Sequence, residues 1–316
     1  MDKVTTKYGI LKGISYLSHY PDGSVKDCIL TQENVLKTPF GRLIPQYEDD
    51  GIRRKNLKPV SFYENGILKS ISLQNPVEFQ TSLGSLTAEY ITFHEDGSIK
   101  AIFPLDGKIS GYWTEEDEYE LAPEIEFSFP FGQFKKKVIS VRFYQSGGVK
   151  SITFWPKDRV TVNSPAGTAE VRIGIALHPD GSLKSLEPAK PLPVKTPIGT
   201  ISAYDNSALG LHGDSNSLSF TQDGKIEQIV TTTHQVKVVD QTGKERIYQP
   251  GFKANMFNPD ARDIVPLTIQ FNGGRFCFDN NPENSCNLLE CKFTVQPVLF
   301  KSTNSCSSCA DCSACG

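Results

Sequence analysis

Val60-Ser-Phe-Tyr-Glu-Asn-Gly-Ile-Leu-Lys-Ser-Ile71 and Ile91-Thr-Phe-His-Glu-Asp-Gly-Ser-Ile-Lys-Ala-Ile102 are two copies of one pattern. Apolar residues two apart lead into Asn-Gly or Asp-Gly, dipeptides that suit the positive φ of a tight turn. An aliphatic residue and a lysine lead out, so the pattern predicts a β-hairpin. Taking the turn glycine as origin, Gly23, Gly66, Gly97, Gly147, Gly181 and Gly224 mark successive copies. Six residues before the glycine stand Leu17, Val60, Ile91, Val141, Ile175 and Leu218, and four before it His19, Phe62, Phe93, Phe143, Leu177 and Phe220. Residues at +2 (Val25, Leu68, Ile99, Val149, Leu183, Ile226) and at +5 (Cys28, Ile71, Ile102, Ile152, Leu186, Ile229) are also apolar. Positions +2 and +5 cannot share a face in regular alternation, so a bulge or a two-sided strand is expected between them. Lysine fills +3 until Glu227 replaces it in the last copy.

A second turn interleaves with the first: Thr38-Pro-Phe-Gly41, Thr81-Ser-Leu-Gly84, Phe129-Pro-Phe-Gly132, Ser164-Pro-Ala-Gly167 and Thr196-Pro-Ile-Gly199, with Gln241-Thr-Gly243 as a degenerate copy. Proline at the second position presets φ for a type I turn. From hairpin glycine to second-turn glycine the spacing is 18 to 20 residues, except for 35 between Gly97 and Gly132. That excess marks an insertion over about 104–126. Its acidic stretch from Glu115 to Glu126 reads as a solvated loop facing Lys135-Lys-Lys137, with a docking surface for a basic partner as the alternative. The largest regularity is a duplication: Gly9, Gly23, Gly41 and Gly66 recur as Gly167, Gly181, Gly199 and Gly224, each 158 residues later. The duplicated blocks span about 5–84 and 163–243. A lone two-stranded hairpin is marginal in water, whereas stacked copies bury one another's apolar faces. The expected fold is therefore all-β: an elongated, solenoid-like stack of β-hairpin repeats over 1–250, degenerate capping repeats over 251–300, and a cysteine-rich tail over 301–316.

The unit aromatic-x-Asp/Asn-Gly-x-aliphatic-Lys, as in Phe62-Tyr-Glu-Asn-Gly-Ile-Leu-Lys69, resembles the bacterial variant of the MORN repeat, in pieces over residues 10 to 230. The Tyr-x-Gly-x-Trp opening and second glycine cluster of standard MORN repeats are absent. The resemblance implies a non-enzymatic scaffold that attaches to a partner, here a protein yet to be identified, through its sheet surface. An exposed sheet edge could also pair two copies into a homodimer.

Composition narrows the alternatives. A formal net charge of -3 offers no basic excess for a phosphate backbone, so nucleic acid is not an expected partner. No apolar run approaches membrane-spanning length, and Met-Asp-Lys-Val-Thr-Thr-Lys lacks the apolar core of a secretory signal, which makes a cytoplasmic location the expectation. Gly213-Asp-Ser-Asn216 lacks the strand–elbow–helix setting of a serine nucleophile and reads as a loop. The five histidines show no metal spacing.

Cysteine carries the one chemical suggestion. Cys28 occupies an apolar +5 position and reads as packing, whereas Cys277, Cys286, Cys291, Cys306, Cys309, Cys312 and Cys315 crowd the C-terminal end. Two residues between successive cysteines let thiolates converge on one metal centre. Cys306-Ser-Ser-Cys309-Ala-Asp-Cys312 resembles the Cys-x-x-Cys-x-x-Cys run of ferredoxin-type loops, departing from it at the fourth cysteine, Cys315. A metal or redox accessory protein is thus the alternative function. It would carry an iron–sulfur cluster or zinc on Cys306, Cys309, Cys312 and Cys315, with Cys277, Cys286 and Cys291 as possible additional ligands; a free-thiol tail is the other reading of the same residues.

Overall fold

The computed structural model describes residues 3–55, 60–208, 213–256, 258 and 261–298. Among these the chain is all-β and antiparallel, with a single α-helix. Each repeat turn is closed twice by its backbone: the Gly66 N–H donates to the Tyr63 carbonyl at 2.8 Å, and the Tyr63 N–H to the Ile67 carbonyl at 2.8 Å. Only the glycine takes positive φ (76° at Gly66, 86° at Gly97); Asn65 and Asp96 do not. The turn is thus a type I turn followed by a left-handed glycine, not the mirror-image turn with two positive φ values that the dipeptide also allows. The residue before the glycine braces it: Asp96 Oδ1 accepts from the Ser98 N–H at 2.9 Å and from its hydroxyl at 2.6 Å.

A bulge separates +2 from +5. Phe93 pairs with Ile99 and Thr92 with Ala101, which leaves Lys100 unopposed. The same skip falls at Lys26, Lys69, Lys150, Lys184 and Glu227. The extra residue turns +5 back to the face occupied by +2, so both positions are apolar without a two-sided strand.

The hairpins join into one sheet that runs from an edge strand Ile14–His19 to an opposite edge Ser285–Asn287 without closing on itself. Position +5 of one hairpin pairs with position −6 of the next, as in Ile71↔Ile91, Ile102↔Val141, Ile152↔Ile175 and Leu186↔Leu218. This apolar row is at most 3% exposed from Cys28 through Ile229 to Ile269. Short hairpins made by the second turns cover it. Phe40 lies on Phe93 with ring centroids 5.5 Å apart, Tyr8 on Phe62 at 6.3 Å, and Phe134 against Phe154 at 5.8 Å. Phe62, Phe93 and Phe154 beneath are fully buried, each worth roughly 1.5–3 kcal/mol, while the covering rings are partly buried and contribute a fraction of that.

In the second turns, Thr38, Thr81, Ser164 and Thr196 each donate a hydroxyl proton to the carbonyl of the closing glycine, at 2.7–2.9 Å. Gly243 does not belong to this class. Its N–H donates to the Asp240 carbonyl and the Asp240 N–H to the Lys244 carbonyl, the double closure of the repeat turn, and here the carboxylate that braces it, Asp240, stands three residues before the glycine rather than one. The ladder Thr5↔Ile10, Thr6↔Gly9 recurs as Asn163↔Thr168, Ser164↔Gly167, and Asp27↔Ser61, Cys28↔Val60 recurs as Ser185↔Ser219, Leu186↔Leu218, all 158 residues on. Gly251–Ala254 and Arg262–Val265 form a small separate hairpin, and Leu267–Asn272 with Arg275–Phe278 extend the main sheet. No helix among the described residues is long and apolar enough to cross a membrane.

Candidate interaction face and cysteine pair

Residues adjacent to the apolar row point to the other face of the sheet. They too form a continuous row, since Asp27 pairs with Ser61, Ser70 with Thr92, Ala101 with Arg142, Ser151 with Ala176 and Gln228 with Gln270. Most are small. Beside them, at position −3, runs a line of rings whose polar tips tie each hairpin to the next. The hydroxyls of Tyr20, Tyr63 and Tyr144 donate to the carbonyls of Phe62, Phe93 and Leu177 at 3.0, 2.8 and 2.7 Å. Nε2 of His94 and of His178 meets the carbonyls of Phe143 and Phe220 at 3.2 and 2.9 Å, so each ring carries its proton on Nε2. Burial, then nearby carboxylates, raises all three tyrosine hydroxyls, which keeps them donors. Lys26 and Lys69, from the bulge, lie 5.7 and 5.5 Å over the Tyr20 and Tyr63 rings.

The acidic insertion is not a loop throughout: Glu115–Leu121 is a helix. Thr114 caps it, accepting from the Asp117 N–H while the Asp117 carboxylate accepts from Thr114. Glu118 turns inward. Arg53 bridges it to the sheet, with Nε and Nη2 on Glu118 at 2.7 and 2.9 Å and Nη1 and Nη2 on Glu89 at 2.9 and 2.6 Å. All three are buried. The Trp113 indole N–H and the Gly107 N–H, both at 2.7 Å, complete the Glu118 carboxylate. Burial opposes ionisation of Glu118, but the bonds from Arg53 and Trp113 outweigh it and hold the carboxyl below the usual carboxylate range. Lys137 does face the segment, donating to the Tyr119 and Glu120 carbonyls. Ile109, Tyr112 and Leu121 stay exposed beside Glu115, Glu116 and Asp117.

Cys306, Cys309, Cys312 and Cys315 lie outside the described residues. Cys28 is fully buried, and burial pushes its thiol up to about 12, as a packing residue requires. Cys277, Cys286 and Cys291 do not converge as a set of three. Phe276 pairs with Cys286 while Cys277 pairs with Ser285, so Cys277 and Cys286 point to opposite faces, and the Cys277 thiol meets the Asn281 carbonyl at 3.2 Å. Cys286 and Cys291 are brought to one place: both line a cavity of about 280 Å³, together with Arg246. Burial, then Cys291, raises the Cys286 thiol. Among the described residues no group of three or more His, Cys, Asp or Glu side chains could hold a metal ion.

No protein-family model, curated protein or solved structure matches this chain.

The ring latches were within reach of the sequence, because Tyr20, Tyr63, His94, Tyr144 and His178 recur at −3. Which carbonyl each would meet depends on the neighbouring hairpin. The Arg53–Glu118 clamp joins residues 65 positions apart and left no local signal. Thr114-Glu-Glu-Asp117 is the one sequence trace of its helix.

Proposed function

We propose that this chain is a non-enzymatic scaffold whose MORN-like stack of hairpins binds another protein through its sheet surface. The observation that carries the proposal is the unbroken antiparallel ladder with a pairing edge. Ile14–His19 is bonded on one side only among the described residues, and Tyr16 there is 49% exposed. A strand whose outer N–H and C=O groups lack partners is a template for an added strand, from a partner or a second copy. The aromatic latches support a rigid display: each hairpin is held to the next by a side-chain bond as well as by the ladder.

The test places a photo-crosslinking benzoylphenylalanine at Tyr16 or at Thr92 on the outer row, with Met256, which is 91% exposed and outside the strands, as comparison. In the native host, Tyr16 and Thr92 should yield one discrete adduct that Met256 does not. Equal labelling from all three positions, or none from the first two, overturns the proposal.

A second reading has its own observation, that Cys286 and Cys291 line one cavity. Two thiols at one cavity offer half of a tetrahedral thiolate site, to which the tail cysteines Cys306, Cys309, Cys312 and Cys315 would bring the rest, around zinc or an iron–sulfur cluster. Metal and acid-labile sulfide content of anaerobically purified protein, beside a variant with the four tail cysteines changed to serine, separates the two. Metal that vanishes in the variant favours the accessory role; absence of metal from both samples leaves the scaffold.

A further inference from the structure

The five junctions between successive hairpins are built alike. In each, +5 of one hairpin pairs with −6 of the next and +4 with −5: Cys28↔Val60 with Asp27↔Ser61, Ile71↔Ile91 with Ser70↔Thr92, Ile102↔Val141 with Ala101↔Arg142, Ile152↔Ile175 with Ser151↔Ala176, and Leu186↔Leu218 with Ser185↔Ser219. Aliphatic residues or cysteine fill +5, and nothing larger than aspartate fills +4. These pairs define what a strand needs in order to join the sheet.

The first hairpin has the receiving half of a junction. Tyr16 stands at −7, Leu17 at −6 and Ser18 at −5 on Ile14–His19, which among the described residues is bonded only to Val25–Leu30. The duplicated half shows the same strand occupied. Gly174, Ile175 and Ala176, 158 residues on, pair with Thr153, Ile152 and Ser151 of Val149–Phe154. With that neighbour in place Ile175, Ala176 and Leu177 are 0%, 2% and 1% exposed, whereas Leu17 and Ser18 are half-buried and His19 is exposed. The latch position is unfilled as well. The ring at −3 of each hairpin reaches the −4 carbonyl of the next, as Tyr144 reaches Leu177, and His19, at −4 of the first hairpin, precedes every ring of that series.

Two observations separate this edge from an ordinary terminus. Ile14-Ser-Tyr-Leu-Ser-His19 contains no proline and no Lys, Arg, Asp or Glu, the residues that commonly block an exposed edge. The opposite end has abandoned the repeat chemistry: Thr221 replaces the ring at −3, Glu227 replaces the lysine at +3, and the last strand of the sheet, Ser285–Asn287, has three residues.

A second copy of the same edge fits poorly. Antiparallel pairing of two Ile14–His19 strands keeps the faces matched and an aliphatic residue opposite Leu17 only when Leu17 meets Leu17 of the other copy. That register sets Tyr16 against Ser18, where every junction places a residue no larger than aspartate.

We propose that Ile14–His19 receives one antiparallel strand from an extended segment of another protein, with a small residue opposite Ser18, an aliphatic residue opposite Leu17 and a serine or threonine opposite Tyr16. The last preference follows Tyr90↔Ser72 and Gly174↔Thr153. Backbone hydrogen bonds hold the added strand, and its aliphatic side chain extends the apolar row by one position. This inference rests on the scaffold reading and names the partner's chemistry and register at one edge.

The chain supplies its own probe: an amidated peptide of the sequence Gly148–Phe154, Gly-Val-Lys-Ser-Ile-Thr-Phe, with a fluorophore at its N-terminus, titrated with the full chain. Its anisotropy should rise to saturation, and it should slow hydrogen exchange at Ile14–His19 but not at Ser285–Asn287. The Ile152→Lys peptide should bind at least about tenfold more weakly. Alternate amides of a strand face the same neighbour. Of two peptides N-methylated at Ile152 or at Thr153, one should therefore lose about tenfold in affinity and the other should bind like the parent. No binding at millimolar concentration, undiminished binding of the Ile152→Lys peptide, equal effects of the two N-methylations, or protection elsewhere than Ile14–His19 overturns the proposal. So does a chain that sediments as a dimer with Ile14–His19 already protected, which makes a second copy the occupant. Any of these results together with a discrete Tyr16 adduct in the host leaves the scaffold reading in place; without that adduct both fail.

Discussion

The Tyr144 hydroxyl, 2.7 Å from the Leu177 carbonyl, shows what one atom does in a repeat. Tyr144→Phe keeps the ring and removes the donor. It should lower stability by about 1 kcal/mol, a small drop in Tm that urea unfolding will resolve; an unchanged midpoint would mean the latch contributes nothing. The turn aspartates respond to pH. Asp180 is held down to about 2 by Gln222 and then Ser182, and Asp223 to about 2 by Lys225 and then Thr221. Both ionise more readily folded than unfolded, so between about pH 4 and 2 the unfolded chain binds more protons. Their contribution is complete above about pH 4 and is lost as pH falls toward 2. The midpoint for urea should fall across that window. Asp180→Asn should flatten the slope without abolishing the turn, because Asn65 fills the same place in another hairpin and its Oδ1 accepts from the Ile67 N–H.

At the scale of elements, the insertion helix is held by chemistry rather than by length. Seven residues make too short a helix to persist alone, so its docking depends on Arg53 joining Glu118 to Glu89. Glu118→Ala removes one arm of a buried ionic network and should cost about 3 kcal/mol. Hydrogen exchange should rise first in residues 107–121; exchange unchanged there would show that the helix is held by its apolar contacts. Hairpins were legible because a turn dipeptide and alternating apolar residues are local signals. The bulge was legible as a conflict between +2 and +5, and pairing placed it at the lysine. The helix was not, since two turns give no periodicity and its decisive contacts come from residues 53 and 89. Of the cysteines read as possible additional ligands, strand parity places Cys277 and Cys286 on opposite faces, which only the pairing of their strands could show.

Over the whole molecule, the apolar row and the outer row cross the same strands in register, so every hairpin is supported by the two beside it except at the ends. Strands between Val138 and Phe154 have partners on both sides, including the Tyr144 and His94 latches, while Ile14–His19 has a partner on one side only. Opening a central hairpin breaks two ladders and uncovers Phe143 and Ile152, 2% and 0% exposed; opening the first breaks one and uncovers the smaller Cys28 and Leu30. Local stability should therefore rise inward from both edges rather than being uniform. Native-state hydrogen exchange read by mass spectrometry should find amides of Val138–Phe154 protected longest and those of Ile14–His19 and Ser285–Asn287 exchanging soonest. Ile152→Ala, which leaves a cavity at the centre of the row and should cost about 2–5 kcal/mol, should lower protection on both flanking hairpins together. If instead all strands exchanged at one rate before and after the substitution, the sheet would be opening only as a whole, and nearest-neighbour support would not describe it.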